Sequence, residues 1–340
     1  MKRVVAAVLV VALQVGVLGY MIYERESTLL SGQVVYLRTM PVDPRDPFRG
    51  DYVALAYQIN RVALTRVDPA VQEIIIPDTV VYGALSVDAR GIADISRVSL
   101  QPPEQGLFIR GRLVGRHDWR WPAGEHELPI RYGVEKLFVP QGDGIKIEER
   151  RGIRTGWQTP MEVAVAINSA GTAVIRDYRW SDVAIKLEDI TVRPSDPREA
   201  RENPPSPHLR FGIRNVSEQP VALAMTTDDC NFELEAADGK PITMAYGGCQ
   251  SKPIAAADIT VLPPGAEVQR DFNLVLPRWH VKTDTLTGEI AKLENWQRFR
   301  LVYRAPALEQ LAENISQEQR QKLWQGTLYS PAFNNRGNVD

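Results

Sequence analysis

The chain has 340 residues, which is enough for two or three domains with buried cores. Hydrophobic residues make up 44% and charged residues 24% of the chain, a composition that excludes a disordered protein. The formal net charge is -2, and Lys and Arg are mixed among Asp and Glu without a basic stripe or tail, so nucleic acid is not expected as a partner.

The first predicted element is an apolar stretch from Val4 to Tyr23 that carries no charge. A helix of this length spans roughly 30 Å, the thickness of the hydrocarbon core of a bilayer. We predict a cytoplasmic tip at 1–3 and a transmembrane helix at 4–23, because Lys2 and Arg3 favour a cytoplasmic N-terminus. A cleaved signal peptide is the alternative, but the stretch is long and lacks a small-residue cleavage pattern. The prediction is a single-pass protein of the inner (cytoplasmic) membrane, in contact with the lipid bilayer, with the bulk of the chain outside the cytoplasm.

The next segment, Pro41 to Arg61, reads PVDPRDPFRGDYVALAYQINR and is either a site or a turn that leads into a strand. Its prolines restrict the backbone, its aspartates suit Asx turns, and Gly50 can adopt a positive φ. Beyond this turn, apolar side chains alternate with the others, which is typical of a half-buried strand. The apolar face comprises Val53, Leu55, Tyr57 and Ile59.

Two blocks of this sequence resemble a known family. GDYVALAY fits the pattern GDYXXLXY at each fixed position, and RYGVEKLFVPQGDGIKIEE, from Arg131 to Glu149, is similar to the downstream block of the same family. Residues 32–180 therefore resemble the GDYXXLXY family of membrane-anchored bacterial proteins. The resemblance implies no established activity. It implies a membrane partner, since members are often encoded beside a multi-pass membrane protein. The residues of interest are Asp43, Asp46, Arg49, Gly50, Asp51, Tyr52, Leu55 and Tyr57 in the first block, and Tyr132, Gly133, Glu135, Phe138, Pro140 and Glu148 in the second.

Short strands separated by Gly, Pro and Asp predict a mainly β fold. We predict a β-rich GDYXXLXY domain at 24–180 and an Ig-like β-sandwich at 181–304. The piece YGVEKLFV within the second block fits either a helical turn or a strand. A C-terminal helix and tail at 305–340 follow, because PALEQLAENISQEQRQKLW has an approximate apolar face after Pro306. Strands of the first domain are predicted near 80–87, 95–100, 106–115, 161–167 and 173–180.

The chain has two cysteines, Cys230 and Cys249. In an exported protein such a pair is usually joined, so we predict a disulfide bond. Two buried free thiols are the alternative. A metal site is less expected, because no histidine lies near either cysteine in the sequence.

The aspartates of the first block allow a rival function. Asp43, Asp46 and Asp51 are a possible carboxylate cluster of an envelope hydrolase or a glycan-binding module. That function requires a pocket where one of them meets Glu135 or Glu148. A glycosidase needs two carboxylates across a sugar, and calcium needs oxygen ligands at positions where this loop has arginines. We therefore favour the structural interpretation of these aspartates.

Other catalytic patterns do not occur in the sequence. The histidines are scattered, and there is no HExxH, G-x-S-x-G, P-loop or G-x-G-x-x-G motif. The cluster of His117, Trp119 and Trp121 fits stacking on a sugar or a membrane surface, but a loop that packs into its own domain is favoured. We predict no catalysis, no cofactor and no metal, and a role as an interaction or assembly module for a membrane protein of the cell envelope.

Overall fold

A computed structural model describes residues 2–40, 52–74, 76–88, 90–114, 127–152, 156–237, 242–246, 253–282, 287–293 and 297–339. The architecture of these residues is mainly β, as predicted. A long helix precedes the sheets, and short helices lie between the strands. The helices are α1 (Lys2–Ser31), α2 (Pro69–Glu73), α3 (Asp143–Arg151), α4 (Pro197–Glu202) and α5 (Gln317–Lys322).

The first half of the chain forms antiparallel sheets. A four-stranded sheet has the order β11-β10-β1-β3, a five-stranded sheet has the order β4-β8-β7-β5-β6, and β2 pairs with β9. The strands are β1 (Gln33–Met40), β2 (Tyr52–Ala54), β3 (Ala56–Tyr57), β4 (Arg61–Ala63), β5 (Val80–Val87), β6 (Ala93–Ser99), β7 (Phe108–Leu113), β8 (Glu127–Arg131), β9 (Lys136–Phe138), β10 (Met161–Ile167) and β11 (Ala173–Trp180).

The second half forms smaller sheets. Their orders are β12-β13-β18, β14-β17, β16-β19-β20 and β15-β21-β22, with β23 also paired to β21. The strands are β12 (Val183–Asp189), β13 (His208–Asn215), β14 (Val221–Ala224), β15 (Phe232–Ala236), β16 (Thr243–Met244), β17 (Ile259–Leu262), β18 (Glu267–Asn273), β19 (Val281–Lys282), β20 (Thr287–Gly288), β21 (Arg298–Arg304), β22 (Thr327–Tyr329) and β23 (Phe333–Asn334).

Each half has its own hydrophobic core. The first extends from Val35 to Ile167, and the second from Val183 to Phe333. In the second, the Phe232 ring of β15 lies 4.6 Å from the Phe272 ring of β18, so side chains of two different sheets meet in one core. The Ig-like assignment and the domain boundaries predicted for this half stay predictions.

Most strand predictions are confirmed. The strands at 80–87, 161–167 and 173–180 have the predicted bounds. The strand predicted at 52–59 is shorter, because a 3-10 helix begins at Gln58, but its alternate side chains are buried as expected. The ambiguous piece of the second block contains a strand, β9.

The N-terminal helix corrects a prediction. Within the part of the chain that the structure describes, no helix is long and apolar enough to cross a membrane. In α1 the described side chains are largely apolar from Leu9 to Tyr23, which is about 22 Å of helix, and Glu24, Arg25 and Glu26 follow. The predicted transmembrane helix at 4–23, and the inner-membrane localisation that depends on it, are therefore wrong.

The C-terminal helix is much shorter than predicted. Only Gln317–Lys322 is α-helical, starting after a capping box formed by Ser316 and Gln319. Leu311, Ile315 and Leu323 do not form one face of a helix but enter a small separate core that includes Ala222 and Ala224 of β14. The chain then continues into β22 and β23 and completes a sheet.

Candidate functional site

The two sequence blocks interlock through buried tyrosines. The Tyr57 hydroxyl donates to the Val134 carbonyl at 2.7 Å, and the Tyr132 hydroxyl donates to the Ile59 carbonyl at 2.9 Å. Burial raises the pKa of both phenols, and the nearby Glu135 carboxylate raises it further. Both tyrosines are therefore neutral hydrogen-bond donors that fasten the blocks together.

Glu135 closes the turn between β8 and β9, within the second block. One carboxylate oxygen accepts from the backbone N–H of Tyr132 at 2.6 Å and from the Asn60 side chain at 3.2 Å. The other accepts from the backbone N–H of Gly133 at 2.9 Å. Gly133 has a φ of +83°, which favours glycine at this turn. Local donors thus occupy Glu135, and it is not the free carboxylate that a hydrolase needs.

The remaining predicted residues fall into two groups. Leu55 is buried in the first core. The Tyr52 ring lies 6.1 Å from the exposed Phe138 ring. Pro140 is exposed, as is Glu148 on α3. The other residues lie outside the described residues, so the pocket of the hydrolase prediction is not observed. These are Asp43, Asp46, Arg49, Gly50, Asp51, His117, Trp119 and Trp121.

Two further predictions concern metals and cysteines. Among the described residues, no group of three or more His, Cys, Asp or Glu side chains is placed to hold a metal ion. Cys230 is disulfide-bonded rather than a free thiol. Cys249 lies outside the described residues, so the pairing of the two cysteines stays a prediction.

A groove of about 850 Å³ lies beside the second block. Gly133–Pro140 forms one wall and Ala173–Tyr178 forms the other. α3 and Arg25, near the end of α1, complete the lining. A concave surface of this size is typical of a binding site. The groove therefore places part of the predicted family block, β9, at a candidate site.

The groove has an excess of positive charge although the chain has a net charge of -2. Three acidic side chains line it, and two are already engaged: Glu135 by backbone N–H groups and Asp143 by Lys146 at 2.8 Å. The third is Asp177. Six basic side chains line it; Lys146 pairs with Asp143, Arg131 pairs with Asp78 at 3.3 Å, and the other four are Arg25, Lys136, Arg150 and Arg176. This balance favours an anionic ligand.

Aromatic rings complete the groove. The Arg150 guanidinium lies 5.0 Å from the centre of the Trp180 ring, and Tyr178 contacts Trp180 edge to face at 6.1 Å. Lys136 lies 5.0 Å from the centre of the Tyr52 ring at the opposite wall. The groove thus offers cationic and apolar contacts, and it can bind a ligand without chemistry of its own.

A second cluster of arginines surrounds a buried carboxylate between the two halves of the chain. Glu162 is fully buried in β10 and accepts from Arg38 at 3.0 Å and from Arg179 at 2.7 Å, and Arg90 lies 3.9 Å away. Burial by itself would raise the pKa of the Glu162 carboxyl, but the arginine charges outweigh it and lower the pKa. Glu162 is therefore an ionised anchor for three cations.

The same arginines connect to the second half. The guanidinium groups of Arg38 and Arg90 lie 5.6 and 5.4 Å from the centre of the Trp324 ring. Arg38 also donates to the Thr327 carbonyl, and Arg90 pairs with Asp182 at 3.0 Å. This cluster is a structural joint between the two cores.

Neither the arginine cluster around Glu162 nor the basic side chains of the groove were predicted from the sequence. A signal for the joint was present, because Arg38 in QVVYLRTM and Glu162 in MEVAVAI are single charges within strongly apolar strands. Charged residues are rarely buried unless they are paired. No sequence pattern indicates that Arg25 and Arg176 line the same groove, because α1 and β11 are far apart along the chain.

Comparison with known proteins finds a likeness within the first half of the chain. No curated protein matches the chain. A family model described as GDYXXLXY protein matches residues 14–177, from within α1 to β11, which is slightly less than half of the chain. This match agrees with the resemblance seen in GDYVALAY, and it leaves the second core outside. Residues 14–177 are therefore similar to the GDYXXLXY family in sequence.

Proposed function

We propose that the protein is an interaction or assembly module that binds a partner protein through the exposed apolar surface of α1. The observation that carries the proposal is that every large hydrophobic side chain described between Leu9 and Tyr23 is more than half exposed. Soluble monomers rarely expose contiguous apolar patches larger than a few hundred Å². A partner that covers α1 would remove this surface from water.

The proposed partner is a multi-pass membrane protein. A helix that is apolar on all sides is normally buried in a larger structure. The family resemblance supports the same class, because members are often encoded beside such a protein.

A module of this kind needs no catalytic group. The described residues support that role, since the Glu135 carboxylate is engaged by Tyr132, Gly133 and Asn60 and the tyrosines of both blocks fasten the fold. No observation among the described residues favours the hydrolase. The groove and the α1 surface are instead suited to binding.

Substitutions on α1 test the proposal. The double variant Leu13→Asp, Leu18→Asp places two charges on the exposed surface without touching either core. The matched control is Val192→Asp, because Val192 is also an exposed apolar residue but lies far from α1 in the sequence. The full chain would be purified in mild detergent, its partner identified by mass spectrometry, and binding repeated with the purified partner.

We expect the double variant to bind the partner at least about tenfold more weakly while its unfolding midpoint stays unchanged. The control should keep both properties. Full binding of a normally folded double variant would overturn the proposal.

A further inference from the structure

Both walls of the groove contain a strand with one edge that no described strand pairs with. Among the described strands, β11 pairs only with β10, and β9 pairs only with β2. The outer edge of each strand therefore presents backbone N–H and C=O groups that no other described strand uses. The edge of β11 is the longer one, with eight residues against three in β9. An extended peptide can pair with an edge of that length.

The charges beside this edge are mostly of one sign. Among the described residues, no ion pair joins Arg25, Arg150 or Arg176 to a carboxylate. Natural edge strands are often shielded by charged side chains, which is the alternative explanation for Arg176. Shielding alone does not account for a concave groove that also gathers cations from α1 and α3. Charge complementarity instead favours an acidic occupant.

We propose that an extended acidic segment of a partner protein adds as a strand to the edge of β11. Its carboxylates would face Arg25, Lys136 and Arg176, and its apolar side chains would contact Tyr178 and Trp180. The inference rests on the proposed function in one respect, namely that the ligand is a protein segment. It uses a surface separate from the apolar part of α1.

Backbone pairing distinguishes a peptide from other anions. A polyphosphate or an acidic polysaccharide can meet the same cations but has no amide groups to pair with β11. The charges alone would accept either ligand, whereas the free edge accepts only a polypeptide. The test therefore has to separate charge from backbone pairing.

The probe is a fluorescent peptide of about eight residues with alternating Glu and Val, long enough to match β11. One control peptide has the same sequence with alternate backbone nitrogens methylated, which preserves charge but removes donors. A second control replaces Glu by Lys, and inorganic polyphosphate serves as the competitor without a backbone. Binding to the full chain would be measured by fluorescence anisotropy.

The protein variants change charge at the groove or elsewhere. The double variant Arg176→Glu, Lys136→Glu reverses two groove charges. The matched control is Arg110→Glu, because Arg110 is exposed on β7 and does not line the groove. The α1 double variant Leu13→Asp, Leu18→Asp is measured in parallel.

We expect the Glu–Val peptide to bind and its affinity to fall at least about tenfold in the groove variant, with methylation and in the Lys–Val peptide. Arg110→Glu and the α1 double variant should bind the peptide as the unchanged protein does. Polyphosphate should displace the peptide, because it competes for the same cations. Absence of binding, or equal binding of the methylated peptide, would overturn strand addition. If the α1 double variant loses partner binding but still binds the peptide, the proposed function and strand addition at β11 are tested independently of each other.

Discussion

Arginines occupy two contrasting regions of this protein. At the joint between the cores, Arg38 and Arg179 donate to the buried Glu162 carboxylate. In the groove, Arg25 and Arg176 are exposed and have no carboxylate partner among the described residues. An arginine thus stabilises the fold where it is held beside a buried carboxylate. An exposed arginine without such a partner is available to a ligand. Substitutions in the two regions should therefore have opposite consequences for stability and for binding.

The largest effect is expected at the joint. Glu162→Gln keeps the size of the side chain but leaves three arginines without their shared carboxylate, so the free energy of unfolding should fall by about 3–5 kcal/mol. The matched control is Asp271→Asn, which breaks the exposed pair with Arg210 and should cost about 0–1 kcal/mol. Urea unfolding measures both. Equal losses in the two variants would contradict the distinction between buried and exposed pairs.

Acid should weaken the same joint. The pKa of Glu162 is lowered from the ordinary value of 4.5, so its contribution to stability is fully present above that pH. The contribution is lost as the pH falls below 4.5 and through the lower pKa of the folded state. The difference in unfolding free energy between the unchanged protein and Glu162→Gln should therefore shrink on acidification. A difference that stays constant down to about pH 2 would show that ionisation of Glu162 is not its source.

A smaller effect is expected beside Trp324. Gly326 has a φ of +125°, and a Cβ atom there would lie 3.0 Å from Arg38 Nη2. Gly326→Ala should lower the free energy of unfolding by about 1–3 kcal/mol, because it adds backbone strain and displaces a guanidinium that Glu162 holds. The control is Gly265→Ala, since Gly265 has a φ of +77° but no atom within 4 Å of an added Cβ. If the control costs more stability, the contact with Arg38 is not important.

The smallest effect on stability is expected in the groove. Arg176→Glu changes an exposed residue that has no ion pair with any described residue, so the free energy of unfolding should change by less than about 0.5 kcal/mol. Thermal unfolding checks this value. A loss of several kcal/mol would mean that Arg176 supports the fold, as Arg38 does, and is not reserved for a ligand.

Local sequence pattern predicted much of the fold. Alternation placed Val53, Leu55, Tyr57 and Ile59 in the core, because a strand sends successive side chains to opposite faces. It failed for the C-terminal helix, because contacts with β14 from elsewhere in the chain decided the backbone there. The transmembrane helix predicted in α1 was also wrong, because the composition of this stretch suggested a longer apolar helix than the described residues provide.

The candidate sites depend on pairing between distant strands. Arg38 and Glu162 are opposite each other in β1 and β10, and 124 positions separate them in the sequence. Glu135 was predicted as a possible catalytic partner, but its carboxylate closes a turn through Tyr132 and Gly133. Residue type alone could not distinguish these roles, because they are set by which donors the fold brings close.

Site-specific photo-crosslinking in living cells tests the central claim most directly. A photoreactive amino acid would replace Leu18 on α1 in one variant and the exposed Val192 in another. If α1 is the binding surface, light should join the Leu18 variant to one identified membrane protein and leave the Val192 variant without that product. Absence of a protein adduct at position 18, or the same adduct from both positions, would contradict the account.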